Sequence, residues 1–116
     1  MSYENILLKK EDKTFIDEYK VSTVNDITIK VAVAGICRTD IYAAENKIKT
    51  KDNLVLGHEF TGYIHASRNK NFKEGDLVVV NPIFDDLTML GVDHDGCFSS
   101  YINVCSSQVF QFGDFH

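Results

Sequence analysis

The sequence predicts a mainly β fold, a barrel or sandwich core with little helix. Three observations carry that expectation. Ile27, Ile29, Val31 and Val33 alternate with Thr28, Lys30, Ala32 and Ala34, the period of a strand with one buried face. Leu77-Val78-Val79-Val80 is a short apolar run between Gly75 and Pro82, the pattern of a buried strand. At least six such segments recur along 116 residues, separated by turn residues, with one short helical stretch among them.

Taken in order, Ile6-Leu7-Leu8-Lys9 and residues 14–19 flank a polar turn containing Asp12 and Lys13, which predicts an N-terminal hairpin. Residues 26–36 follow as the alternating strand, its Ile/Val face turned to the core and Gly35 closing it. Residues 39–46 fit a short helix capped near Thr39 or Asp40. Residues 57–67 resume strand character, and residues 68–73 are a polar loop. The Leu77 run comes next, and residues 83–95 are the least regular stretch. Residues 98–104 and 109–112 read as two further strands. No internal repeat or low-complexity tract interrupts the chain, so residues 1–116 are expected to form a single domain.

At 13.1 kDa such a chain buries about two thirds of its extended surface, enough for one core without disulfides. Twelve basic against 17 acidic residues give a net charge of -5, which disfavours a phosphate backbone as partner. The three lysines between Lys47 and Lys51 read as a solvated loop or helix end. No signal-peptide pattern and no membrane-length apolar run occur. Cys37, Cys97 and Cys105 are odd in number and widely spaced, which suits a reducing, cytoplasmic setting. Each is either a packed thiol or a metal ligand.

Three local features carry candidate chemistry. Cys37-Arg38-Thr39-Asp40 follows a strand, Gly57-His58-Glu59-Phe60 opens another, and Gly75-Asp76 precedes the Val-rich run. A thiolate, an imidazole and a carboxylate (Cys37, His58, Glu59) are the ligand types zinc takes, and three protein ligands with one open position make a catalytic site. Asp40 is placed to accept the free ring N–H of His58, and the Thr39 hydroxyl to exchange a proton with a bound alcohol. Plain structural roles compete with each of these. A cysteine after an apolar strand is commonly a buried small hydrophobe, and Thr39-Asp40 is an ordinary helix start. His58 and Glu59, as adjacent strand residues, would point to opposite faces.

The ordered set tips the balance. Residues 31–40, then Leu56-Gly57-His58-Glu59-Phe60-Thr61-Gly62, then residues 72–80, resemble the zinc-dependent medium-chain alcohol and polyol dehydrogenases. Residues 90–101 look like that family's D-G-G-F-A-E-Y region. The resemblance covers roughly residues 5–112 and implies a GroES-like, partly open β-barrel with one or two short helices, the N-terminal catalytic domain of such enzymes. It implies that Cys37 and His58 are catalytic zinc ligands and that Glu59 lies beside the metal. It also implies that Thr39 binds the substrate hydroxyl and starts a proton relay, that Asp40 backs the zinc histidine, and that Arg38 touches the cofactor pyrophosphate. The implied reaction oxidises an alcohol or polyol reversibly to a carbonyl, zinc acting as Lewis acid and hydride passing to NAD(P).

The chain departs from that pattern in four places. Residues 82–90 contain no cysteine where the family often carries a four-cysteine lobe, so no structural zinc is expected. Cys97 stands in place of a glycine, and Cys97 and Cys105 read as small strand residues. Tyr42 stands where some members have a relay histidine, which bears on substrate subclass. The loop after the Gly-His-Glu strand is shortened around His65, which reads as a half-exposed strand residue. The largest departure is that no G-x-G-x-x-G occurs among the seven glycines. The nicotinamide-binding Rossmann domain is therefore expected on a partner chain or beyond this segment, and hydride transfer is not expected from these residues alone. Exposed barrel edges and a bare interdomain face favour self-association into a homo-oligomer. The alternative reading is a non-catalytic GroES-like binding or assembly module derived from a dehydrogenase. A true co-chaperonin is weaker, since it has no use for Cys37, His58 and Glu59 together.

Overall fold

The computed structural model describes residues 3–20 and 26–111. Its strands are β1 (Tyr3–Lys10), β2 (Lys13–Lys20), β3 (Ile27–Gly35), β4 (Leu54–Val55), β5 (Glu59–Ser67), β6 (Leu77–Val80), β7 (Tyr101–Val104) and β8 (Val109–Gln111). One α-helix, α1 (Arg38–Ala44), follows β3, and a 3-10 turn, Ser106–Gln108, precedes β8. The mainly β expectation holds. The strands form two open antiparallel sheets, one of order β2-β1-β4 and one of order β7-β3-β5-β6-β8. The expected strand at residues 109–112 ends within the described residues at Gln111; Phe112 lies outside them.

The N-terminal hairpin forms as read, in full register from Tyr3↔Lys20 to Lys10↔Lys13. Its turn is Glu11-Asp12, both at positive φ (52° and 63°), as a two-residue turn matching strand twist requires, and Lys13 already belongs to β2. Ile6 and Leu8 point inward against Val55 of β4. The two-residue β4 carried no pattern long enough to read in the sequence.

The main core lies under the five-stranded sheet. Ile27 and Ile29 (β3), Phe60 and Ile64 (β5), Val78 and Val80 (β6), Ile102 and Val104 (β7) and Val109 (β8) pack there with Leu90 and Cys97. Two expectations about this sheet need correction. The Ile/Val face of β3 does not stay in the core: Val33 is 67% exposed. The ladder with β5 shifts register between Val31 and Val33, so Ala32 is an extra residue and the alternation loses its phase. The Leu77 run is not buried on both faces either. Val78 and Val80 are buried while Leu77 is 37% exposed, because one face of the sheet is left uncovered.

Residues 98–104 shorten to β7; Phe98 and Ser100 instead use their carbonyls to accept from Leu7 and Val31. Neither Cys97 nor Cys105 is a strand residue. Cys97 is buried in the core ahead of β7, and Cys105 is exposed before the 3-10 turn. Lys47, Lys49 and Lys51 are exposed beyond α1, as expected. Among the described residues no helix is long and apolar enough to cross a membrane.

Candidate metal centre

The site forms where two chain segments leave the five-stranded sheet. The first follows Gly35 at the end of β3. Cys37, with extended backbone (φ -109°, ψ 171°), is the N-cap of α1, two or three residues earlier than the sequence suggested. Its Sγ accepts from the Thr39 amide at 3.3 Å. The Cys37 amide donates to Asp40 Oδ2 at 2.9 Å. This reciprocal pair is a capping box built from cysteine and aspartate, and it locks the thiol above the first turn of the helix.

The second segment is Leu56-Gly57-His58. Gly57 has φ +100°, a conformation that side-chain-bearing residues rarely adopt, and a Cβ there would lie 2.7 Å from the Phe98 ring. Two further glycines pack against it: a Cβ on Gly96 would stand 2.0 Å, and one on Gly91 2.6 Å, from the Gly57 carbonyl oxygen. The segment around Gly96 is stitched to it by amides that donate from Gly96 to Val55, Cys97 to Gly57 and Phe98 to Leu56, at 2.7, 3.0 and 2.9 Å. His58 therefore sits in irregular backbone one residue before β5. The opposite-face argument does not apply to it, and His58 Nε2 lies 3.7 Å from Glu59 Oε1.

The two segments meet at His58, which is 8% exposed. Its Nε2 is 3.2 Å from Cys37 Sγ, and its Nδ1 is 2.9 Å from Asp40 Oδ1. The ligand atoms of Cys37, His58 and Glu59 all lie within 4.8 Å of one another, the one such group of three among the described residues. Asp40, 5% exposed, thus serves two partners with its two oxygens, the Cys37 amide and the His58 ring. An ionised carboxylate accepts only, so His58 Nδ1 carries the proton and its Nε2 lone pair is turned toward Cys37 and Glu59.

Thr39 is half-buried beside Cys37, Arg38 is exposed at the first helical position, and Tyr42 is 37% exposed on α1. His65 is exposed on β5 and meets the Tyr101 ring edge-on at 4.8 Å, apart from the site. Cys97 closes the site from behind: its thiol donates to the Glu59 carbonyl at 3.6 Å. Burial, with the Asp40 carboxylate adding to it, pushes that thiol up to about 12, so it stays protonated. The glycine clamp of Gly57, Gly91 and Gly96 was not assembled from the sequence. Its signal was the glycines themselves, two of them within the Gly-His-Glu and Asp-Gly-Cys-Phe motifs.

The donor set fits a zinc ion. Ligands about a tetrahedral zinc stand roughly 3.4–3.6 Å apart, given its bond lengths. The Cys37–His58 and His58–Glu59 separations are 3.2 and 3.7 Å, and the three ligand atoms together lie within 4.8 Å, wider than that spacing, so the exposed Glu59 side chain is the ligand with distance to close. The histidine is already oriented through its far nitrogen, as metal-bound histidines are.

Residues 23–114 match the family described as the alcohol dehydrogenase GroES-like domain. The chain is 29% identical to an L-threonine 3-dehydrogenase of Bacillus licheniformis, across 95% of this chain and 35% of that protein. It shares its fold with the cobalt- and zinc-bound thermostable alcohol dehydrogenase of Pyrobaculum aerophilum (TM-score 0.85, 15% identity, 95% of this chain and 41% of that one). The same holds for the 2R,3R-butanediol dehydrogenase of Bacillus subtilis (TM-score 0.83, 24% identity, 97% and 41%). The chain thus spans 35 to 41% of the length of these relatives.

Proposed function

This chain belongs to the alcohol dehydrogenase GroES-like domain family, and on that premise we propose that it is the zinc-holding catalytic domain of an oxidoreductase acting on an alcohol or polyol. The observation that carries the reading is the convergence of Cys37, His58 and Glu59 with Asp40 behind the imidazole. Residues 1–116 act as one such domain.

Cys37 and His58 hold the metal, and Glu59, 57% exposed at its side chain, stands at the open side where it can ligate or withdraw. Bound there, zinc supplies a Lewis acid that makes an alcohol oxygen more acidic. The chain's own residues set up the rest. Asp40 keeps the proton on His58 Nδ1, so Nε2 remains a ligand. The Thr39 amide donates to the Cys37 sulfur and holds it in place as a ligand. The Thr39 hydroxyl, two residues from that sulfur in sequence, holds and passes on the proton of the substrate hydroxyl. Arg38, exposed beside it, meets the pyrophosphate of a nicotinamide cofactor, NAD or NADP, carried by a Rossmann domain outside these residues.

Val33, Ile36 and Ile41, exposed by 67, 74 and 49%, flank Cys37 in sequence. They give a covering domain, or a second copy of the chain, an apolar face to dry. Three free cysteines suit a reducing, cytoplasmic compartment. A binding module without chemistry has no need of a buried aspartate that orients one histidine nitrogen and caps the cysteine.

Elemental analysis of chelator-free protein tests the reading. One zinc per chain is expected, lost in Cys37→Ala and in His58→Ala; zinc-free preparations overturn it. The 116 residues alone are expected not to reduce NAD with any alcohol, and turnover by them without a partner overturns the need for a second domain.

A further inference from the structure

Strand β2 lies at the edge of its sheet. Among the described residues it pairs with β1 and with no other strand. Its side chains are open on both faces too, with Phe15 40% and Ile16 73% exposed. An edge of this kind is a template for another strand.

The hairpin fixes which backbone groups face outward. A two-residue turn makes Lys10 and Lys13 a hydrogen-bonded pair, so along β2 the amides and carbonyls of Lys13, Phe15 and Asp17 are directed at β1. Those of Thr14, Ile16 and Glu18 point away from it. The Glu18 amide agrees with that phase and is already taken: it donates to Asp17 Oδ1 at 2.8 Å. The open ladder positions are therefore Thr14 and Ile16, bounded by the turn residue Asp12 (φ 63°) and the capped Glu18 amide.

A second copy of the chain fits this edge in one antiparallel register. Outward residues must stand opposite outward residues. Ile16 opposite Ile16 of the second copy would set Thr14 against Glu18, whose amide is occupied. Thr14 opposite Thr14 would set Ile16 against the turn at Asp12. Thr14 opposite Ile16 lets each exchange both bonds, twice by symmetry, and a two-fold axis then passes between the two Phe15 residues. Phe15 is the cross-strand neighbour of Leu8, so the paired rings extend the Ile6–Leu8–Val55 cluster across the axis. Lys13 falls opposite Asp17 of the second copy, an opposite-charge pair made twice, whereas within one chain Lys13 faces Lys10. Glu18 falls opposite the acidic turn, and the ladder ends there.

We propose that the chain forms a two-fold dimer by antiparallel pairing of residues 13–17 of β2, in the register that sets Phe15 against Phe15. The contact is separate from the metal centre and from the face of Val33, Ile36 and Ile41. So short a ladder falls below the roughly 800 Å2 per partner of stable interfaces, so dimer and monomer exchange.

Sedimentation equilibrium of the 116-residue chain, from about 10 µM to about 1 mM, tests this, with a reversible dimer expected. Ile16→Pro removes an outward amide without touching the bonds to β1, and should weaken the dimer about tenfold. Lys13→Asp and Asp17→Lys each set like charges at both symmetric positions. Each should weaken the dimer about fivefold, and the two combined should restore it. With the exposed Cys105 replaced (Cys105→Ser), Phe15→Cys should cross-link on oxidation, its Cα atoms standing about 4.5 Å apart across the axis. Ile16→Cys, diagonal across the axis at about 7–8 Å, should cross-link about fivefold more slowly. If circular dichroism shows that Ile16→Pro does not fold, charge reversal and cross-linking decide. A chain monomeric throughout, a dimer untouched by a folded Ile16→Pro, no rescue by the double reversal, or equal cross-linking at both positions overturns the proposal.

Discussion

The two ends of β3 share one alternating pattern and meet opposite surroundings. Ile27 and Ile29 are fully buried, whereas Val33 is 67% exposed and Ile36, just past the strand, 74%. At the buried end β3 is flanked by β7 on one side and β5 on the other. Beyond Val31, whose amide still reaches the Ser100 carbonyl, only β5 pairs with it among the described residues, and the register shift there turns the side chains out of phase. One end of the strand closes the core, and the other carries the chain on to Cys37 beside His58 and Glu59. Alternation states that a strand has two faces; its neighbours decide whether either face is covered.

Substitutions along this contrast should separate the two ends. The largest effect is expected from Ile29→Ala, a loss of about 2–5 kcal/mol in urea unfolding, since it opens a cavity in the main core. Gly96→Ala comes next, at about 3 kcal/mol, because its Cβ would meet the Gly57 carbonyl. That substitution reaches the site through the core, so it should lower zinc content as well.

The third effect depends on pH. The Cys97 thiol is pushed up to about 12 in the folded chain against an ordinary 9.0. Above 9.0 the unfolded chain loses that proton while the folded chain keeps it. The unfolded state then binds fewer protons, and stability falls as pH rises. The contribution is intact below pH 9.0. By pH 10.5 wild type should lose about 2 kcal/mol more than Cys97→Ala, measured by parallel urea titrations.

Asp40→Asn tests the open end. Loss of about 1 kcal/mol is expected from the weakened cap, and zinc affinity should drop by about 10- to 100-fold. A metal-competition titration beside thermal unfolding separates the two readouts. Val33→Ala is the control, expected to change stability by less than about 0.5 kcal/mol. A loss as large as that of Ile29→Ala would mean that the open end of β3 is covered after all.

Much of the site was legible before the fold was. Cys37, Thr39, Asp40, His58 and Glu59 stand in two short motifs whose residue types suit a metal, and only their resemblance to the dehydrogenase pattern set that reading above plain structural roles. Their roles within the motifs were harder to read. Cys37 rather than Thr39 caps α1, because the sulfur accepts the Thr39 amide and Asp40 returns the bond. His58 and Glu59 face each other at 3.7 Å only because Gly57 bends the chain at φ +100° and delays the start of β5. The hydrogen bonds that join Asp86, Thr88 and His94 lie in the segment with least pattern, so nothing periodic announced them.

By itself the sequence determined most of the strand segments, where the helix lies and which side chains are of types that bind a metal. Those are local properties of side-chain period, turn chemistry and ligand type. Tertiary structure alone decided the bulge that exposes Val33, the packing of Gly91 and Gly96 on Gly57, and the joining of residues 37–40 to residue 58. Each of these depends on contacts between residues far apart in the chain, whose geometry is set by close packing rather than by any local preference.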